Sequence, residues 1–374
     1  MLPYEQNQKA GGIGTALQDE LDSITKPYVY QGDYAIRTAT LLQVGDGELT
    51  RDLSKEEIAD VFTFAELLAF AGLSNREFFS VIGISYTNRD AFSVAIEQYR
   101  RTTGFTTVVT RRRDGSTFTA IDEKNYRVHK PRYVKSPETG IDVPLLHALL
   151  DAQAKLSDKQ WLGFYEALVN FNLANTDNDQ ISPEIEVVFS IAAFERLLGL
   201  SSGRDSALAS SFAECTKATV EPTLTKCSRF SNPKFSKQAT NRSVRETWIR
   251  DMLKVRGNAA HGKRTSAYPS MWSTEEHLLL SSYVFPLCLK RRLSQVGFYQ
   301  LTKEDEFRLF TFEKLAATNL NVRCEDGKDH PWNRVVGDAT LEFPGGLAEE
   351  LQMLYAKTTQ HTLFQCPINN GYDA

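Results

Sequence analysis

VRETWIRDMLKVRGNAAHGK, residues 244–263, is the stretch on which the reading of the whole chain turns. Apolar and charged side chains recur at helical spacing in its first part, which predicts a helix over 244–256. Arg256 closes that helix and His261 opens the next segment. Gly257 and Ala259 are small and keep the approach to Arg256 open. An Arg a few residues ahead of a His is a weak pattern alone. The chain holds a second match, Arg323 to His330, but that one spans the acidic run CEDGKD, which repels phosphate. Histidine titrates near neutral pH and serves as base or acid. The planar fork of an arginine clamps two phosphate oxygens. RNA cleavage without a metal needs a base for the 2′-hydroxyl, a proton for the leaving 5′-oxygen and a cation on the phosphorane. One histidine cannot be base and acid at once.

Charge singles out the same stretch. The chain is acidic overall, at net -4, which argues against nucleic acid. The distribution reverses that argument. Residues 225–264 carry 11 basic and 2 acidic side chains, and residues 100–135 carry 10 and 3. Such asymmetry is the footprint of a polyanion partner, and a solvated basic face is the plain alternative. Lys254, Lys263 and Arg264 in the first run, and Arg111, Arg112 and Arg113 in the second, are candidate RNA contacts.

Working outward, residues 141–320 read as almost pure helix. DKQWLGFYEALVNFNLAN (158–175) is amphipathic, and Ser182-Pro183 opens a helix over 183–200 that is apolar nearly all round. A short helix is expected at 205–219. The polar run 222–243 is expected to be structureless, and helices follow at 274–293, behind the capping box Ser273-x-x-Glu276, and at 304–317.

These stretches resemble a HEPN domain, the helical superfamily of ribonucleases and nucleotide-binding modules, and within it the Apea-like HEPN proteins of prokaryotic antiviral systems. FSIAAFERLLG (189–199) matches the second helix, WIRDMLKVRGNAAHG (248–262) the third helix with its R-x(4–6)-H motif, and 274–293 the fourth. The resemblance covers about 150–320. It departs from the family at Gly257, where a polar residue often follows the Arg; Asn258 comes one position later and is the candidate third catalytic residue. The resemblance implies a metal-independent endoribonuclease without cofactor. Two subunits each bring Arg256 and His261 to one composite site, leaving a 2′,3′-cyclic phosphate. Glu195 is the candidate orienter of Arg256. It implies a cytoplasmic, toxin-like effector of antiphage or stress defence, a homodimer or higher oligomer acting on RNA under a phage-derived or nucleotide trigger. The alternative is a non-catalytic HEPN module that binds RNA or nucleotide and assembles partners.

The fold expected is therefore an α+β N-terminal module, residues 1–140, acting as sensor or substrate reader, followed by an all-α HEPN-type bundle, 141–320, and an extension, 321–374. In the first part AIRTATLLQV (35–44) reads as a strand, and Ser54-x-x-Glu57 as a capping box ahead of a helix running through Leu73. NRDAFSVAIEQYRR (88–101) reads as a helix, and FTTVVTRRRDGSTFTAID (105–122) as a hairpin with the arginine triplet at its tip. No carboxylate, Cys/His or Gly-rich constellation there suggests an active site of its own. Cys324, His330, His361 and Cys366 form a Cys2His2 set that zinc would accept, although the spacing matches no finger pattern. Composition is ordinary for a globular protein, with 41% hydrophobic and 24% charged residues. No apolar run is long enough to span a membrane, no secretory signal is expected, and the odd number of cysteines, 5, fits a reducing compartment.

Overall fold

The computed structural model describes residues 19, 22, 53–76, 78–79, 88–92, 140–176, 181–200, 205–218, 226–231, 242–260, 270–322 and 330–344, with the backbone alone of short strands before residue 129. The helices are α1 (Lys55–Ser74), α2 (Val143–Lys155), α3 (Asp158–Leu173), α4 (Pro183–Leu197), α5 (Asp205–Thr216), α6 (Val244–Ala260), α7 (Thr274–Gln295), α8 (Lys303–Ala317) and α9 (Pro331–Glu342).

The expected α+β N-terminal module is corrected. Of the residues described with their side chains, 77% are helical and none lies in a strand. The strand pairings of the first part are backbone ladders of two to six residue pairs, the longest joining Phe105–Arg111 to Thr117–Asp122. They form separate sheets of two or three strands. An α+β layer requires helices laid over a sheet; here the substantial packing pairs helix with helix or strand with strand. The helix expected at 88–101 is also corrected. Arg89–Phe92 forms a single 3-10 turn and the backbone of Gln98–Arg100 is extended. Phe92 and Ile96, four residues apart, share a face in a helix and in a strand alike, so their spacing does not separate the two states.

The chain divides into two compact units, 1–69 with 84–139 and 70–83 with 140–374, and the division falls inside α1. In the first unit the Ser54–Glu57 capping box starts α1: the Ser54 N–H donates to Glu57 (2.8 Å) and the Glu57 N–H to the Ser54 hydroxyl (3.2 Å). Arg89 pairs with Glu66 at 2.5 Å.

In the second unit, aromatic rings run through the core. Phe171 stacks on Phe285 at 4.6 Å, and Phe70 meets both edge-on at 5.4 and 6.0 Å. The end of α1 is thus core of the helical unit. Phe194 continues the series to Phe212 (5.3 Å), Phe212 to Trp248 (5.3 Å) and Trp248 to Phe312 (5.4 Å). Edge-to-face and offset contacts of this kind add to the burial of large apolar area. Buried Lys290 lies between Asp142 (2.8 Å) and Asp305 (2.7 Å). Asp142 also accepts from the Leu145 N–H at the start of α2, so one ionic cluster joins α2, α7 and α8. The capping box at Ser273–Glu276 is formed, and two that were not expected, Thr302–Asp305 and Ser243–Glu246, start α8 and α6.

Candidate functional site

Glu195 is placed by the way α4 ends. Gly199 adopts φ +69, the left-handed region open to glycine. The Leu200 N–H then donates to the Glu195 carbonyl (3.0 Å) and the Gly199 N–H to that of Arg196 (3.2 Å). These bonds form a Schellman end that fixes the last turn of α4. Across from it, α6 buries Val244, Trp248, Ile249, Met252 and Leu253 against the core. Arg256 Nη1 donates to Glu195 Oε1 at 2.9 Å and Oε2 at 3.0 Å, so the structure brings these two expected residues together. Their side chains are 30% and 21% exposed. One guanidinium nitrogen is held by the carboxylate, and Nε and Nη2 have no hydrogen-bond partner among the described residues.

The helix does not stop at Arg256. It continues through Gly257, Asn258 and Ala259 to Ala260. Among the described residues, a Cβ added at Gly257 would meet nothing within 4 Å. Because the segment is helical, positions two apart lie about 200° around the axis. Asn258 and Lys254 therefore leave α6 on the opposite side from Arg256. His261, Lys263, Arg264, Arg112 and Arg113 lie outside the described residues, and of Arg111 only the strand backbone is described.

Asp251 was not expected as a site residue. It is fully buried one turn before Lys254. Its Oδ2 accepts from the Ser270 hydroxyl (2.5 Å), the Met271 N–H (2.8 Å) and the Trp272 N–H (3.2 Å), with His277 Nε2 at 3.3 Å. This carboxylate ties residues 270–272 back onto α6. A carboxylate between Trp248 and Met252 in an otherwise apolar stripe was the signal in the sequence, since buried charges are paired. Ser270, His277 and Asp251 do not form a nucleophile relay. Hydroxyl and carboxylate both face Nε2, at 3.4 and 3.3 Å, and a relay needs them on opposite ring nitrogens.

Burial raises the Asp251 carboxyl, but the hydrogen bonds and charge of His277, with those of Ser270 and the Trp272 N–H, outweigh it and hold it below the usual carboxylate value. A carboxyl lowered in the folded state contributes stability that is present above its unfolded value, about 3.9, and is lost as pH falls through the folded value. Asp251→Asn should therefore flatten the loss of stability below about pH 4. Urea midpoints measured from pH 6 downward check this; an unchanged acid limb would show that Asp251 does not carry it.

The zinc set is not assembled by the described residues. His330 caps α9: Nδ1 accepts from the Trp332 N–H (3.1 Å) and Nε2 faces the Leu320 carbonyl (3.1 Å). The ring also stacks on Phe79 at 3.8 Å. With Nδ1 accepting and Nε2 donating, the ring is neutral and has no lone pair left for a metal. Burial lowers its pKa, in keeping with that form. Cys324, His361 and Cys366 lie outside the described residues. Among the described residues no group of three or more His, Cys, Asp or Glu is placed to hold a metal ion. No described helix is long and apolar enough to cross a membrane.

Compared with family models, curated proteins and solved structures, the chain matches none.

Proposed function

We propose that this protein is a metal-independent endoribonuclease of the HEPN type, cytoplasmic and acting as a homodimer in antiphage or stress defence. The observation that carries the reading is the Arg256–Glu195 pair: a guanidinium held through Nη1, with Nε and Nη2 unpartnered among the described residues, five residues before His261. A guanidinium fixed at one nitrogen presents its remaining donors in a set plane, which suits a non-bridging phosphate oxygen pair. Pre-oriented charge of this kind stabilises a phosphorane without reorganisation at the moment of reaction. His261 takes the proton of the 2′-hydroxyl, and His261 of the partner subunit protonates the leaving 5′-oxygen. The new bond joins the 2′-oxygen to phosphorus as the 5′-oxygen bond breaks, leaving a 2′,3′-cyclic phosphate and a 5′-hydroxyl.

Since the motif supplies base, acid and cation, EDTA should leave cleavage of a short RNA within about twofold of the untreated rate, well under the factor general acid–base groups contribute. A strict requirement for Mg²⁺ would overturn the mechanism and direct attention to carboxylates instead. The second reading, a non-catalytic module, is favoured by the same pair in its structural capacity, since Arg256–Glu195 also ties α6 to α4. Binding of RNA without any change in its length would favour it.

A further inference from the structure

His330 sets the start of α9. It is the N-cap of that helix, and its Nδ1 accepts from the Trp332 N–H at 3.1 Å. Nε2 faces the Leu320 carbonyl at 3.1 Å, and the ring lies flat on Phe79, with 3.8 Å between centroids and 7° between planes. The residues after α1, those after α8 and the first turn of α9 thus meet on one half-buried imidazole. Trp332 packs behind it, 4% exposed, against Phe78 (5.1 Å) and Tyr283 (5.2 Å). Phe79 is held at φ +54, a costly conformation for an aromatic residue that its surroundings must maintain. The far end of α9 is held separately, by Glu342 on Lys314 and by Phe343, which meets Phe307 and Phe310 edge-on at 5.5 Å each.

Only the neutral ring fits this arrangement. Nδ1 offers a lone pair to the Trp332 N–H while Nε2 donates to Leu320. A second proton, on Nδ1, would set two donors against each other and place a positive charge at the positive end of a helix. The Phe79 face favours a cation, but at a half-exposed site by less than the lost cap and the helix charge together cost. The charged groups on the surrounding elements are Glu276 with Arg229 behind Leu320, Arg76 on the Phe78 ring, Arg308 on the Tyr283 ring and Arg334 on α9. None of these contributes to the shift of His330, whose pKa is lowered by burial, with the Leu320 carbonyl opposing.

We propose that His330 is an acid-sensitive latch: neutral, it docks the first turns of α9 on the residues after α1 and α8, and protonated it lets them go. A histidine whose folded value lies below its unfolded value of about 6.5 contributes stability that is fully present above that pH and is lost as pH falls from there through the folded value. Within that window the docking constant should fall about tenfold per pH unit. The latch is independent of the ribonuclease reading.

Hydrogen exchange of the full chain, read by mass spectrometry from pH 8 to pH 5, tests it. Protection of residues 332–339 is taken against a free peptide of the same sequence at the same pH, which cancels the intrinsic pH dependence of exchange. In wild type it should be constant down to about pH 6.5 and then fall about tenfold per unit until the folded value is passed. A flat profile down to pH 5 overturns the latch. His330→Asn keeps an N-cap acceptor that does not titrate and should give that flat profile. A fall that persists in His330→Asn overturns His330 as the trigger. Asp329, next to it in the sequence, titrates near 3.9 and does not supply a fall that begins at about pH 6.5. Should His330→Asn not fold, the wild-type ring decides by proton resonance, assigned through its contact with Phe79. It must titrate below about 6.5, where the loss of protection levels off, and a ring that titrates at or above that value overturns the proposal.

Discussion

His261→Ala should lower the saturated single-turnover rate of RNA cleavage by about 10²–10⁴-fold, the range that a general acid–base group supplies, and remove toxicity on induced expression. Arg256→Ala should cost about 10²–10³-fold in the same rate, as loss of a donor at a developing oxyanion does. Affinity should change much less, because the interaction strengthens only as charge builds on the reacting phosphate. Glu195→Gln keeps the guanidinium and removes the charge that holds it at 2.9 Å. Its loss should fall between wild type and Arg256→Ala, and Glu195→Asp should be no better than Glu195→Gln if reach matters more than charge. Single-turnover cleavage with enzyme in excess separates these effects from binding. Were Arg256→Ala to weaken binding alone, with the saturated rate near that of wild type, Arg256 would be a docking residue and the non-catalytic module the better reading.

The largest effect on stability is expected at Arg245–Glu313. The two groups are 3.6 Å apart with side chains 2% and 1% exposed. Burial lowers the Arg245 pKa despite the opposing charge of Glu313, so the cation depends on its carboxylate. Glu313→Leu or Arg245→Met alone leaves one buried charge without the other and should cost about 3–5 kcal/mol. The combined variant removes both charges and should recover most of that loss, because apolar replacements of a buried pair are often neutral. A urea-unfolding cycle measures the difference. A cost below about 1 kcal/mol in both single variants would mean that water reaches the pair.

The helical part was legible because its elements carry redundant signals. α7 has a capping box at Ser273–Glu276 and a long apolar run, and α4 has Pro183 at its start and Gly199 at its end. The Arg256–Glu195 contact was also within reach, since an acid in a nearly all-apolar helix needs a partner. Less was legible where one residue had two roles. The helix expected over 244–256 runs on through Gly257 to Ala260, which puts Asn258 on the other side of α6 from Arg256. Phe92 and Ile96 fit both periods. The paired arginines could not be told from exposed ones, because Glu276 and Glu313 lie far along the chain from Arg229 and Arg245. Phe70 looked like part of an N-terminal module, and only tertiary packing assigns it to Phe171 and Phe285.

Those inward-turned arginines bear on the unfolded chain as well. Before folding, all 11 basic residues of 225–264 are open to solvent and to any polyanion nearby. Folding places Arg229, Arg245 and Arg256 against carboxylates from other segments. A polyanion thus meets a stronger positive field on the nascent or unfolded chain than on the finished protein. By mass action, whatever binds the unfolded form more tightly shifts the balance toward it. Nucleic acid at low salt is then a competitor of folding for this segment before it is a ligand of the folded surface, and the carboxylates at 195, 276 and 313 decide how much of that competition survives.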